Sequence, residues 1–152
     1  DGTPTAKAKK ARVIITSAKG KRFTQEDAKR LSEYDQLVFL CGRYEGIDQR
    51  VIDHLCDEEL RVGDYVLTGG ELAAMIMTDA ASRLREGVLG DFASLDVESH
   101  TTTGIGEEPQ YTRPESYKIK GMKTAWDVPE VLMSGNHAHI EKWKKQERKP
   151  LD

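Results

Sequence analysis

Three times between Val13 and Leu84 a short apolar run ends in a glycine-bearing turn and is followed by residues with helical spacing. The runs are Val13 to Thr16, Leu37 to Leu40 and Tyr65 to Leu67, and the turns hold Ser17 to Gly20, Gly42 to Gly46 and Gly69-Gly70. Strands separated by helices are joined by crossovers, so this alternation predicts an α/β domain on a mainly parallel sheet. The unbroken run Leu37 to Leu40 suits a strand covered on both faces. In such a sheet the C-terminal strand ends converge on one crevice, where ligands bind. The turns lack both the GxGxxG spacing of a dinucleotide fold and the GKS or GKT of a phosphate-binding loop, which argues against a pyrophosphate cradle. They suit a ligand read by backbone amides and carbonyls, such as an adenine ring.

Local signals place the helices. Thr24 with Asp27 three positions on makes an acidic capping box for a helix to about Glu33. Ile47, Val51 and Leu55 recur every fourth residue and predict a helix with one buried stripe. Asp57 to Glu59 read as a solvated acidic turn. Thr68 and Glu71 form a second capping box, opening a helix in which Leu72, Met75, Ile76, Ala80 and Leu84 share an apolar face. Met75 and Met77 are expected as core filler. From Asp91 to Gln110 periodicity stops for too long to be an ordinary connection, leaving a disordered stretch or a functional loop. A Pro-marked extended segment and a last helix follow. Asn136 is its expected cap, Ile140 and Trp143 its buried side, and Lys142, Lys144, Lys145, Arg148 and Lys149 its basic decoration.

Charge is segregated. The formal net charge of -3 averages residues 1–30, with nine Lys or Arg against three acids, residues 31–116, with six against eighteen, and residues 117–152, with eight against five. Basic ends around an acidic middle suit either solvated tails or the footprint of a nucleic acid. No apolar run approaches the roughly 18 residues of a membrane helix and no signal-peptide pattern opens the chain, so a cytoplasmic location without a membrane partner is expected. Cys41 and Cys56 are the only cysteines and are expected as reduced thiols. The His137-Ala138-His139 pair has no third ligand at suitable spacing, and no protein-bound metal is expected. The chain starts at Asp1, not Met, as a processed or partial chain would.

The ordered segments "LVFLCGRYEGIDQRV", "VGDYVLTGGELAAM", "SRLREGVLG", "YTRP" and "VPEVLMSGNHAHIEKW" resemble the bacterial tRNA (guanine-N1)-methyltransferase family known as TrmD, within the knotted SPOUT methyltransferases. The resemblance covers most of Val13 to Trp143. It implies an α/β fold with a mainly parallel sheet, helices on both faces and a deep trefoil knot, an exception to the rule that connections do not thread. It further implies that the knot loops hold S-adenosylmethionine, with a homodimer partner completing the site. Carried over by position, Ile15, Thr16, Ser17 and Ala18 form one wall of that site and Gly42, Tyr44, Glu45 and Gly46 a second. Val62, Gly63, Asp64, Tyr65, Val66, Leu67, Gly69 and Gly70 enclose the adenine and ribose. Ala18 and Ala73 stand where the family tends to have Pro. Residues 1–90 are then the knotted cofactor domain with 1–11 mobile, 91–112 a flexible interdomain linker and active-site loop, and 113–152 the start of a C-terminal tRNA-binding region. The family's N-terminal segment, with its glycine-rich guanosine loop, and most of its C-terminal domain have no counterpart here, and "SYKIKGMKTAWDVP" is several residues longer than usual.

The implied reaction transfers a methyl group to N1 of guanosine 37 in the anticodon stem-loop of tRNA. N1 must lose its proton, which calls for a base, and negative charge developing on O6 calls for a cation. Arg83 matches the family's arginine. The family's base is an Asp in an Asp-Ser pair, and the matching position here is Glu98, followed by Ser99, with Asp96 the alternative. The family's dependence on magnesium leaves open a Mg ion associated with the substrate. Two other readings stay open: a non-catalytic knotted S-adenosylmethionine-binding dimer, or a SPOUT enzyme acting on another RNA.

Overall fold

The capping box at Thr24 forms as its residues predict. Thr24 Oγ1 accepts from the Asp27 amide and Asp27 Oδ2 accepts from the Thr24 amide, which opens α1 (Gln25–Ser32). In the computed structural model, which describes residues 10–44, 46–90, 98–100, 102 and 104–151, the chain divides into two compact units, Asp1–Ala93 and Ser94–Asp152.

The first unit holds β1 (Ala11–Arg22), α1, β2 (Gln36–Cys41), α2 (Gln49–Leu55), β3 (Glu58–Arg61) and α3 (Glu71–Ser82). The strands form a parallel sheet in the order β2-β1-β3, with Ile14 opposite Phe39 on one side and Glu58 on the other. Ile14 and Leu60 from the sheet, Leu31 from α1 and Met77 and Ala81 from α3 make the buried core, flanked by Phe23, Leu37 and Phe39.

Several local expectations are overturned. β1 does not end at Thr16: it continues to Arg22 through a bulge, because Thr16 and Lys21 both pair with Leu60 and the four residues between them loop out. Gly20 closes that bulge so tightly that a Cβ would stand 2.6 Å from the Glu59 carbonyl carbon and 2.7 Å from the Leu60 nitrogen. These are backbone atoms of β3, so Gly20→Ala is expected to lower stability by about 1–3 kcal/mol in chemical denaturation.

Of the residues expected as an acidic turn at Asp57 to Glu59, Glu58 and Glu59 instead open β3, and the expected strand Tyr65 to Leu67 is irregular. The acids are not simply solvated. Glu58 takes a two-pronged pair of hydrogen bonds from Arg30 at 2.9 and 2.7 Å and another from Arg12 at 2.9 Å, so its charge is matched inside the fold.

α3 has no Thr68–Glu71 capping box. Its cap is Gly70 without a side-chain hydrogen bond, and Glu71 pairs with Arg43 at 2.6 Å. Its buried stripe is Ala73, Met77 and Ala81, while Leu72, Met75 and Ile76 are exposed and Ala80 and Leu84 half-buried. Met77 is core filler and Met75 is not. The reason is close approach: a Cβ on Gly70 would lie 1.9 Å from Thr16 Oγ1 and 3.1 Å from Cys41 Cα. The helix therefore meets the sheet through its small residues, which turns the bulky ones outward. In α2, capped by Asp48, Ile47 and Val51 are half-buried but Leu55 is exposed, so the predicted stripe is only partly covered.

The second unit holds β4 (Ser116–Tyr117) paired antiparallel with β5 (Trp126–Asp127), a short α4 (Glu130–Met133) and α5 (His137–Glu147). Asn136 Oδ1 accepts from the His139 amide and caps α5, and Ile140 and Trp143 are half-buried. Lys144 and Arg148 are more than decoration. They grip the buried carboxylate of Glu108 at 3.6 and 2.9 Å. Burial pushes that carboxyl up, but the hydrogen bond from Arg148, a backbone hydrogen bond and the charges of Arg148 and Lys144 together outweigh it and hold the group below the usual carboxylate range.

Candidate functional site

The C-terminal ends of β1, β2 and β3 surround a cavity of about 470 Å³ in the first unit. The β1 bulge supplies Ile15, Thr16, Ser17 and Ala18, and the loop after β2 supplies Gly42, Tyr44 and Gly46. The stretch after β3 supplies Val62, Gly63, Tyr65, Val66, Leu67, Gly69 and Gly70. Residues far apart in sequence meet here because parallel strands present the same end to one side. Thr16 Oγ1 donates to the Leu40 carbonyl at 3.4 Å, and Gly70 packs on Thr16, so the first and third walls touch at that point. Tyr44 has φ of 56°, a left-handed conformation uncommon outside glycine, and its ring is fully exposed at the rim.

Among the described residues, one candidate cofactor residue, Asp64, is not in this lining. Asp64 turns outward and pairs with Arg61 at 2.9 Å. Glu45 lies outside the described residues, as does Asp96. Sequence reasoning missed Lys19, Arg43, Ile47, Ile52, Leu60, Arg61, Thr68 and Ala73, which also line the cavity. Lys19 and Arg43 sit inside the glycine turns and Thr68 directly before one, and contiguity alone would have found them. Ile52, Leu60 and Ala73 come from regular elements, and only the packing brings them in.

Cations mark one side. Lys19 Nζ donates to Gln49 Oε1 at 2.9 Å and lies 4.0 Å from Glu59 Oε1, a buried oxygen with no hydrogen-bond partner among the described residues. Arg61 donates to the Gly20 carbonyl as well as to Asp64, which ties the bulge to the end of β3.

Arg83, one of the candidate catalytic residues, is not in this lining. Arg83 is the C-cap of α3, whose twelve residues span roughly 18 Å from the cavity end at Gly70. Glu98 belongs to the second unit, in a turn where Ser99 Oγ accepts from the Glu107 amide at 3.0 Å and the His100 amide donates to the Ile105 carbonyl at 2.9 Å. Among the described residues no three His, Cys, Asp or Glu come together as a metal-holding group, and no helix is long and apolar enough to cross a membrane.

A parallel sheet with loops after each strand around one cavity is an α/β arrangement whose strand ends can take a small ligand. The chain belongs to the tRNA (guanine-1)-methyltransferase TrmD family, whose model matches residues 2–150. It is 50% identical over 139 residues to proteins named tRNA (guanine-N(1)-)-methyltransferase from Bacillus cereus (strain AH820), Bacillus anthracis (strain A0248) and Bacillus thuringiensis subsp. konkukian (strain 97-27). Each match covers 91% of this chain and 54% of the relative, so the chain spans about half the length of the curated relatives it matches.

Proposed function

We propose that the chain carries the cofactor-binding part of a tRNA (guanine-N1)-methyltransferase that moves a methyl group from S-adenosylmethionine to N1 of guanosine 37. The observation that carries this reading is the one cavity into which all three glycine turns open. Its volume falls within the roughly 300–1,000 Å³ of small-molecule and cofactor sites. Ile15, Ile52, Leu60 and Val62 give it apolar walls suited to an adenine ring, and the backbone from Gly63 to Gly70 supplies polar edges.

S-adenosylmethionine, when bound, supplies a methyl group already activated by its sulfonium. The chain's own tasks are then alignment and removal of the N1 proton. Glu98 takes that proton, with Asp96 the alternative base, and Arg83 holds the negative charge that develops on O6. Arg83 stands at the far end of α3 from its own chain's cavity, and α3 exposes Leu72, Met75 and Ile76. A homodimer that covers this apolar face and brings one copy's arginine to its partner's cavity accounts for both. The reading includes helices on both faces of the sheet, a trefoil knot in the loops, a cytoplasmic location, and magnesium, if required, travelling with the substrate.

Calorimetric titration of S-adenosylmethionine into the chain tests the reading. One saturable site per chain is expected. Gly70→Ala, whose Cβ would force Thr16 away, is expected to weaken binding at least about tenfold while circular dichroism shows the fold retained. A flat titration of the parent chain would overturn the assignment. Binding without methyl transfer to unmodified tRNA would leave a cofactor-binding module.

A further inference from the structure

The hairpin that opens after Glu115 has no part in the mechanism above. Its ladder is closed at the base by a Val128 amide donating to the Glu115 carbonyl at 2.8 Å. Its tip is a turn in which the Met122 amide donates to the Ile119 carbonyl at 3.0 Å, with Gly121 at φ 94° in the position that requires it. Tyr117 and Trp126 are directly opposed in the register, so both rings project from the same face of the ribbon. Their centroids are 6.2 Å apart at an interplanar angle of 42°. Rings of this size normally seek burial, yet Tyr117 is 53% and Trp126 54% exposed.

Charge accompanies the rings. Between Ser116 and Ala125 the chain carries Lys118, Lys120 and Lys123 and no acid. Among the described residues none of these lysines has a carboxylate partner, whereas Lys144 and Arg148 of the same unit are bound to Glu108. An aromatic ledge flanked by unpaired cations is the combination that grips single-stranded nucleic acid: the π-faces stack bases regardless of identity and the cations follow the backbone.

We propose that this hairpin is an RNA-docking arm, on which Tyr117 and Trp126 stack an unpaired base while Lys118, Lys120 and Lys123 hold the flanking phosphates. The choice of RNA over another polyanion rests on the methyltransferase reading; the ledge and its charge do not. The arm sets how tightly RNA is held.

The test is fluorescence anisotropy of a labelled anticodon stem-loop RNA carrying unmodified guanosine 37, titrated with the chain and its variants. Tyr117→Ala with Trp126→Ala is expected to weaken binding roughly ten- to a hundredfold, and Tyr117→Phe with Trp126→Phe, which keeps both faces, to restore it. Replacing the three lysines by Gln is expected to lower the salt slope of log affinity by about 2. S-adenosylmethionine binding stays unchanged in every variant. An alanine pair that binds RNA like the parent, a parent chain that binds no RNA, or binding to phosphatidylserine vesicles in preference to RNA would each overturn the proposal. Loss of RNA binding in the alanine pair together with a flat S-adenosylmethionine titration would uphold the arm and sink the methyltransferase reading instead.

Discussion

Glu98→Gln is expected to slow single-turnover methyl transfer to unmodified tRNA by about 10²–10⁴-fold while S-adenosylmethionine binds as before. The amide is nearly isosteric with the carboxylate and keeps its hydrogen-bonding reach, but it cannot accept the N1 proton. The methyl group leaves an activated sulfonium in either variant, so the loss falls on deprotonation and not on donor affinity. Glu98→Asp, which restores a carboxylate one methylene shorter, is expected to recover part of the rate. The turn around Glu98 carries the Ser99 and His100 contacts to Glu107 and Ile105. Unchanged transfer in Glu98→Gln would reject it as the base and direct the same test to Asp96→Asn.

Arg30→Met is expected to cost about 2–3 kcal/mol of stability in chemical denaturation, somewhat less than a fully buried pair because the Arg30 side chain is 38% exposed. Arg30 is the hub of a network that joins three elements. It binds Glu58 on β3 through both prongs and Asp27 on α1 at 2.9 Å, while Arg12 and Lys21 of β1 reach the same two carboxylates. Removing it strands Asp27, 3% exposed, and Glu58, 15% exposed, with one cation each. Arg30→Met combined with Glu58→Gln is expected to cost less than the sum of the two singles.

The same network sets the acid limit. Burial pushes both carboxyls up, but hydrogen bonds from Arg30 and Lys21 to Asp27, and from Arg30 and Arg12 to Glu58, outweigh it and hold both below their ordinary values. A carboxylate with a depressed folded-state pKa stabilises the fold fully above its unfolded-state value. That stability is lost as pH falls through the ordinary carboxylate range, so denaturation midpoints should be flat near neutrality and drop below about pH 5. In Arg30→Met the drop should be shallower. A parent midpoint that does not change between neutral and acid pH would reject this account.

The site was legible in the sequence where its residues are contiguous in turns: Ser17 and Ala18, Gly42, and Gly69-Gly70 all reach the cavity. It was illegible where regular elements contribute, as with Ile52 and Ala73, because helical spacing identifies a face without saying what that face meets. Asp64 shows the reverse limit, since a position inside the right loop can pair its side chain with Arg61 and stay out of the cavity lining.

The alternation of apolar runs, glycine turns and helical spacing determined by itself that the sheet is parallel and that loops gather at one end. Caps at Thr24 and Asn136 did the same for α1 and α5, because each depends on partners three residues away. Only tertiary structure decided that Glu58 and Glu59 open a strand, that α3 buries Ala73, Met77 and Ala81 instead of Leu72, Met75 and Ile76, and that Lys144 and Arg148 turn inward to Glu108. Those outcomes depend on charges and close approaches between distant segments: Arg12 and Glu58 are 46 positions apart, and Gly70 meets Thr16 across the sheet. A pattern read along one element records which residues are apolar or charged, whereas their burial and pairing are set by whichever element the fold lays against them.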